Sequence, residues 1–260
     1  MIFVFSGTGN SFDAAKRISG AGIGGGLVDM APRVRYKRYS YDAAGEDVGF
    51  VFPVYFFGLP SIVREFASNV TVKNPGRVFC VATCGGESGG AGEMLAECLG
   101  DRLKVDAFHD VVMPDNSVFM FDAPTKEQVD ATMESAGKEI EAIIASLKAG
   151  ESGDMTRHKG DRDWREIYPK YDEYRVTEPF RATDKCIQCR ICEELCPEQA
   201  IMFYHRTPVW DEEKCCLCMG CLQLCPKAAI EYGEGTESRG RYWNPVFYEK
   251  TLGLPFKYDE

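Results

Sequence analysis

Eight of the twelve cysteines in this 260-residue chain form one pattern that occurs twice. The spacing C-x2-C-x2-C-x3-C, followed directly by a proline, is carried by Cys186, Cys189, Cys192 and Cys196, and again by Cys215, Cys218, Cys221 and Cys225. Each cysteine of the second set lies 29 residues after its counterpart. Eight cysteine thiolates are the right number to bind two [4Fe–4S] clusters. The pattern therefore predicts one-electron redox chemistry.

The order of the cysteines also predicts how they divide between the clusters. Three thiolates on one tight turn can bind three irons, but the local chain cannot easily reach the fourth. In this spacing the fourth cysteine of each set ligates the other cluster. We therefore expect one cluster on Cys186, Cys189, Cys192 and Cys225, and the other on Cys215, Cys218, Cys221 and Cys196.

Zinc is the alternative metal, because paired C-x2-C units often bind it. A zinc site uses four ligands, which leaves the third cysteine, the x3-C-Pro ending and the duplication without a role. Cys216 stands directly after Cys215 and breaks the spacing. We predict that Cys216 is not a ligand.

The start of the chain has a different pattern, typical of anion binding. An apolar run, residues 2–5, predicts a buried strand, and residues 12–18 predict a helix. The loop between them consists of Ser6, Gly7, Thr8, Gly9, Asn10 and Ser11. A helix N-terminus and hydroxyl groups placed this way can bind a phosphate. The loop fits neither the lysine-containing P-loop nor G-x-G-x-x-G, and its neutral donors suit the terminal monophosphate of FMN.

The rest of the first 150 residues alternates predicted strands with predicted helices. Further strands are predicted at 27–29, 48–52, 77–83 and 105–112, and helices at 59–67, 92–99 and 126–149. Five strands that alternate with helices predict a doubly wound parallel sheet, whose ligands bind beyond the carboxyl ends of its strands.

Two more loops follow strands at that edge of the sheet. The first comprises Pro53, Val54, Tyr55, Phe56, Phe57 and Gly58, and the second contains Thr83, Cys84, Gly85, Gly86, Gly89 and Gly90. Aromatic rings can stack on a flavin, and glycines let backbone amides approach its polar edge. Taken singly, the aromatics also suit a core or surface role and the glycines a flexible loop.

The first loop and the strand pattern resemble flavodoxin, and the cysteine region resembles a two-cluster bacterial ferredoxin. Together they resemble the family of fused flavodoxin–ferredoxin proteins. The resemblance implies a five-stranded sheet in the order 2-1-3-4-5, an FMN phosphate bound by Ser6–Ser11, and an isoalloxazine ring flanked by the other two loops. Cys84 stands where many flavodoxins carry an aromatic residue.

These patterns divide the chain into four predicted segments. They are a flavodoxin-like domain at 1–150, a charged linker at 151–183, a small α+β ferredoxin-like domain with two [4Fe–4S] clusters at 184–232, and an aromatic-rich tail at 233–260.

The net charge of the chain favours some classes of binding partner over others. The formal net charge is −10, and bound clusters add negative charge, which disfavours nucleic acids and anionic membranes. A redox protein or enzyme with a basic docking patch is the favoured partner.

The chain has no recognisable signal peptide and no apolar run near the roughly 18 residues that span a bilayer. We therefore expect a cytoplasmic protein whose cysteines bind metal. The sequence leaves open whether two copies of the chain form a head-to-tail homodimer.

Two functions fit these features. The favoured one is an electron carrier that passes electrons between FMN, the two clusters and a redox partner. The alternative is a flavin-dependent reductase of a small substrate, fed by its own clusters. No catalytic residue is predicted. None of the three histidines lies in the flavin-side loops, and the possible proton donors there, Tyr55, Cys84 and Glu87, suit a surface or core role better.

Overall fold

The structure, a computed structural model, describes residues 1–247. The rest of the predicted aromatic tail, residues 248–260, lies outside the described residues. The chain forms two compact units. The first unit comprises residues 1–6, 10–114 and 126–171, and the second comprises residues 7–9, 115–125 and 172–247. The predicted linker 151–183 is thus shared between the two units, and the predicted domain limits stay predictions.

The first unit alternates strands with helices. Its strands are β1 (Ile2–Val4), β2 (Leu27–Asp29), β3 (Ser40–Asp42), β4 (Val48–Pro53), β5 (Thr71–Lys73), β6 (Val78–Cys84), β7 (Ala107–Val112) and β8 (Gly153–Asp154). Its helices are α1 (Asn10–Gly20), α2 (Met30–Arg35), α3 (Ser61–Asn69), α4 (Ala91–Leu99), α5 (Lys126–Ala149) and α6 (Trp164–Ile167), and α7 (Pro169–Tyr174) begins in this unit.

Six strands form one parallel sheet in the order β2-β1-β4-β6-β7-β8. The predicted α/β class with a large parallel sheet is confirmed. The predicted five-stranded sheet is not confirmed, because Gly153–Asp154 pairs with β7 as a sixth strand. β3 and β5 form a separate parallel pair.

One face of the sheet is covered by two helices. Alternate residues of a strand point to the same face, and this places Val81 of β6 and Val111 of β7 in one core with Ile18 of α1 and Ile140 of α5. α5 has the bounds predicted from its apolar repeat. It ends before Gly150, whose φ of 76° is the left-handed conformation that terminates helices.

The second unit is smaller and contains two antiparallel pairs of strands. Its strands are β9 (Phe180–Ala182), β10 (Ile201–Tyr204), β11 (Thr207–Trp210) and β12 (Ile230–Tyr232), and its helices are α8 (Ile191–Leu195) and α9 (Gly220–Gln223). β9 pairs with β12, and β10 with β11, both antiparallel. Buried Glu231 binds the Arg241 guanidinium at 2.9 Å, which holds the following segment to β12.

None of the helices within residues 1–247 combines the length and the apolar character needed to cross a bilayer.

A buried carboxylate joins three segments of the first unit. Asp110 of β7 is 4% exposed. It accepts hydrogen bonds from the Ser88 hydroxyl at 2.6 Å and from the backbone N–H groups of Arg157 and His158 at 2.7 and 3.0 Å. These donors compensate for the loss of water around the charge. Asp110 therefore ties the loop after β6 and the segment after β8 to the sheet.

The substitution Asp110→Ala should lower the free energy of unfolding by about 2–3 kcal/mol, because it leaves buried backbone N–H groups without an acceptor. Asp130→Ala is the control, since Asp130 is exposed and forms only a surface ion pair with Lys126. Urea denaturation followed by circular dichroism measures both. Equal, small changes in the two variants would contradict the role given to Asp110.

Candidate functional site

The two cysteine turns of the second unit have the same backbone conformation. Gln188 and Arg190 have φ values of 61° and 62°, and their counterparts Leu217 and Met219 have 55° and 57°. A short helix, α8 or α9, begins directly after each turn. Left-handed φ values are uncommon for such residues. Their recurrence at the same positions shows that the repeat in sequence is also a repeat in structure.

The first turn and one distant cysteine surround a common space. Cys186, Cys189, Cys192 and Cys225 line one cavity. The pKa of the Cys192 thiol is raised to about 12, chiefly by burial and in smaller part by the nearby Cys225, Cys189 and Cys186. The structure therefore brings together the four cysteines that the sequence assigns to one cluster, including the one from the other repeat.

The thiols of the second set are close enough to interact electrostatically. Burial raises the pKa of the Cys221 thiol well above its usual value, and Cys218, Cys215 and Cys196 contribute next, followed by Cys192. Cys196, from the first repeat, interacts with Cys218. These are the four cysteines assigned to the other cluster.

Backbone N–H groups point at several of these sulfurs. Ala200 donates to Cys196 Sγ at 3.2 Å, and Ala229 donates to Cys225 Sγ at 3.3 Å, which is the same bond in both repeats. Leu217 donates to Cys215 Sγ at 3.3 Å. Hydrogen bonds to ligand sulfurs stabilise their negative charge and help to set the reduction potential of a cluster.

The donor sets fit clusters. Within residues 1–247, no three His, Cys, Asp or Glu side chains are grouped as ligands of a single metal ion. A [4Fe–4S] cluster is larger than one ion, so its four thiolates stand farther apart. Since ligation requires thiolates, and burial raises the pKa of Cys196 to about 11, binding of iron must release a proton from this side chain.

In the first unit, the predicted flavin-side loops lie next to each other. Pro53 at the end of β4 pairs with Thr83 near the end of β6. The Ser11 hydroxyl lies 2.8 Å from that of Thr83, which joins the start of α1 to the same edge of the sheet. Asn10 donates to the Pro114 carbonyl at 2.9 Å. Of the second loop, Cys84 is buried, whereas Gly85 and Gly86 are exposed.

The loop after β4 contains a tight turn built from aromatic residues. Tyr55 and Gly58 exchange backbone hydrogen bonds of 3.0 and 2.9 Å. Between them, Phe56 and Phe57 have φ values of 49° and 66°, a conformation usually taken by Asn and Gly. The Phe57 carbonyl accepts from the Gly90 N–H at 3.0 Å, so this turn is attached to the loop after β6.

Residues that the sequence did not assign to these loops pack on them. A Cβ atom on Gly90 would lie 1.9 Å from the Trp164 ring, and one on Gly58 would lie 2.3 Å from Tyr168. Tyr171 is fully buried, and its hydroxyl accepts from the Ser61 N–H at 3.1 Å. The spacing of these three aromatics, i, i+4 and i+7, is a helical signal within the predicted linker.

Part of the predicted phosphate loop belongs to the second unit. Residues 7–9 fall in that unit, whereas Ser6, Asn10 and Ser11 fall in the first. The Thr8 carbonyl accepts from the Asn244 N–H at 2.8 Å, and its hydroxyl accepts from the Asn116 amide. Gln223 in turn donates to the Asn116 carbonyl at 2.8 Å. No sequence pattern predicts these contacts, because the residues involved are far apart along the chain.

Comparison with known families identifies the cysteine region. Residues 185–242 match the family model of the 4Fe-4S dicluster domain. This part of the chain is therefore an iron–sulfur domain of the two-cluster type, and its function is electron transfer. No curated protein matches the chain. The resemblance of the first 150 residues to flavodoxin, and of the whole chain to the fused family, stays a prediction.

Gly220 at the start of α9 is required by a close approach of the backbone. A Cβ atom at this position would lie 2.9 Å from the Gly7 carbonyl oxygen. We expect Gly220→Ala to destabilise the second unit by about 1–3 kcal/mol, the usual effect of overpacking, and to accelerate loss of iron to a chelator. Gly86→Ala is the control, because no atom lies within 4 Å of its Cβ position. Equal iron loss from both variants would contradict this reasoning.

Proposed function

We propose that this chain is an electron-transfer flavo-iron–sulfur protein that binds FMN as well as two [4Fe–4S] clusters and passes electrons to a redox partner. One observation carries the iron–sulfur part of this proposal. The two cysteine turns repeat in sequence and in backbone conformation, and each set of four thiols is completed from the other repeat.

The ligand sets follow from that arrangement. Cys186, Cys189, Cys192 and Cys225 would hold one cluster, and Cys215, Cys218, Cys221 and Cys196 the other. Cys216 is 1% exposed, but it has no counterpart in the first repeat, where Ile187 stands. Its assignment as a non-ligand rests on this difference.

The FMN proposal is supported by the order of elements and by the donors in the first loop. β1 leads through residues 5–9 into α1, and the N–H groups and dipole of a helix N-terminus suit an anion. Since the Thr8 hydroxyl oxygen accepts from Asn116, its hydrogen can be donated to a phosphate oxygen. The loops after β4 and β6 follow neighbouring strands, as expected where a parallel sheet binds its ligand.

The cofactors define the chemistry. When bound, FMN exchanges one or two electrons and each cluster exchanges one. The protein supplies thiolate ligands, N–H groups directed at sulfur and buried surroundings. The acidic net charge of −10 favours a partner with a basic docking patch, since opposite charges speed association.

Anaerobic purification should yield about eight irons, eight sulfides and one FMN per chain, as expected for two four-iron clusters and one flavin. Metal analysis, sulfide determination and flavin fluorescence on the same sample provide the measurement. Iron and sulfide without flavin would refute the FMN proposal and leave the iron–sulfur function intact.

Neighbouring cysteines of the second turn test the ligand sets. Cys218→Ala should remove or convert one cluster, because it deletes a thiolate ligand. Cys216→Ala should retain all of the iron, although it deletes a buried thiol that interacts with Cys218. Iron analysis and electron paramagnetic resonance of the reduced proteins distinguish them. Retention of both clusters in Cys218→Ala, or loss in Cys216→Ala, would show that the assignment is wrong.

A further inference from the structure

The two cysteine turns have equivalent conformations but opposite exposure. In the first turn, residues 187–190, all four side chains are exposed. In the second turn, residues 216–219, three are buried and Cys218 is only partly exposed. At one pair of equivalent positions, Ile187 is 55% exposed and Cys216 is 1% exposed.

The side chains of the two turns match this difference. The second turn places Leu217 and Met219 where the first has Gln188 and Arg190. Leaving either apolar side chain in water would cost about 1.5–3 kcal/mol, so the second turn is suited to a buried position. The first turn has polar side chains at these positions and is suited to solvent.

The second turn is also covered by backbone. The start of α9 approaches the Gly7 carbonyl so closely that only glycine fits at position 220. Ile191 occupies the equivalent position at the start of α8, so the helix start itself tolerates a side chain. Gly7 belongs to the loop for which we propose phosphate binding.

We propose that an external redox partner docks on the first turn, and that the cluster held by Cys186, Cys189, Cys192 and Cys225 is the one that exchanges electrons with it. The set that contains Cys218 then holds the inner cluster. This inference rests on the proposed function. One electron leaves one centre, which is oxidised, and enters the other, which is reduced; no bond or proton is transferred.

The surface of the first turn indicates the chemistry of the partner. Ile187 offers an exposed apolar contact next to the exposed thiol position Cys189. The Arg190 guanidinium is paired with Glu193 at 2.7 Å, which offsets its charge, and the carboxylates of Asp184 and Glu194 are exposed. This surface fits a one-electron redox protein with an apolar contact area surrounded by basic residues.

A basic c-type cytochrome is a suitable probe of this site. The chain is reduced anaerobically and mixed with the oxidised cytochrome in a stopped-flow instrument. Ile187→Lys should slow electron transfer by about tenfold at low salt, because like charges then meet at the docking site. The difference should shrink as salt is added.

Met202→Lys is the matched control. Met202 is 46% exposed and lies in β10 next to Phe203, which lines the cavity of the first cysteine set. Since neighbouring strand residues point to opposite faces, Met202 faces away from that cavity. The variant adds the same charge and should change the rate little. Equal effects of the two variants would overturn the docking site.

A second readout does not depend on electron transfer to a protein. A neutral gadolinium chelate enhances the relaxation of nearby paramagnetic centres, so it should act more strongly on the exposed cluster. Cys189→Ser and Cys218→Ser identify which resonance signal belongs to which set. If a variant loses the cluster of its own set, the signal of the remaining cluster is measured, and the relaxation of the two remaining clusters is compared between the two variants. Stronger relaxation of the Cys218 set, or equal relaxation of both, would overturn the proposal.

Iron and sulfide analysis distinguishes a failure of the two-cluster function from a failure of the docking site. Fewer than about eight irons in the unsubstituted protein would contradict the two-cluster function itself. Full cluster content with no dependence on position 187 would overturn only the docking proposal.

Discussion

The arrangement on which the second unit depends is the placement of one thiol from each repeat among three from the other. Cys225 lines a cavity with Cys186, Cys189 and Cys192, so the end of α9 must face the turn before α8. Cys196 makes the reciprocal interaction with Cys218. Neither repeat can form its thiol set alone. Because metal binding to sites that exist only in the folded chain contributes to folding, iron should stabilise this unit as a whole.

The two copies of the cysteine repeat lie in different environments. Equivalent φ values and equivalent N–H bonds to Cys196 and Cys225 give both sets the same local structure. What differs is the surface of the turns, polar in one and apolar in the other. A duplicated motif can in this way supply one centre that is protected and one that is accessible, with no change in the ligands themselves.

The first unit presents loops that are held from several sides. Phe56 and Phe57 adopt left-handed conformations that cost roughly 1–2 kcal/mol each, and their surroundings offset this cost. Tyr171 packs against Phe56, and the Arg162 guanidinium lies 4.3 Å from the centre of the Phe57 ring. Asp110 fixes the neighbouring loop through Ser88. Strained residues that are so well supported are typical of binding sites, which agrees with a ligand at this edge of the sheet.

The sequence by itself determined the features that depend on local spacing. The cysteine repeat specified a two-cluster domain, and the apolar period over residues 126–149 specified α5 with its bounds. Only the tertiary structure decided the features that depend on distant contacts. These are the sixth strand at Gly153–Asp154, the bonds that Asp110 accepts, and the position of Thr8 beside Asn116 and Asn244. Such short segments have too few residues for a periodic signal, and their stability comes from packing against parts of the chain that sequence distance does not reveal.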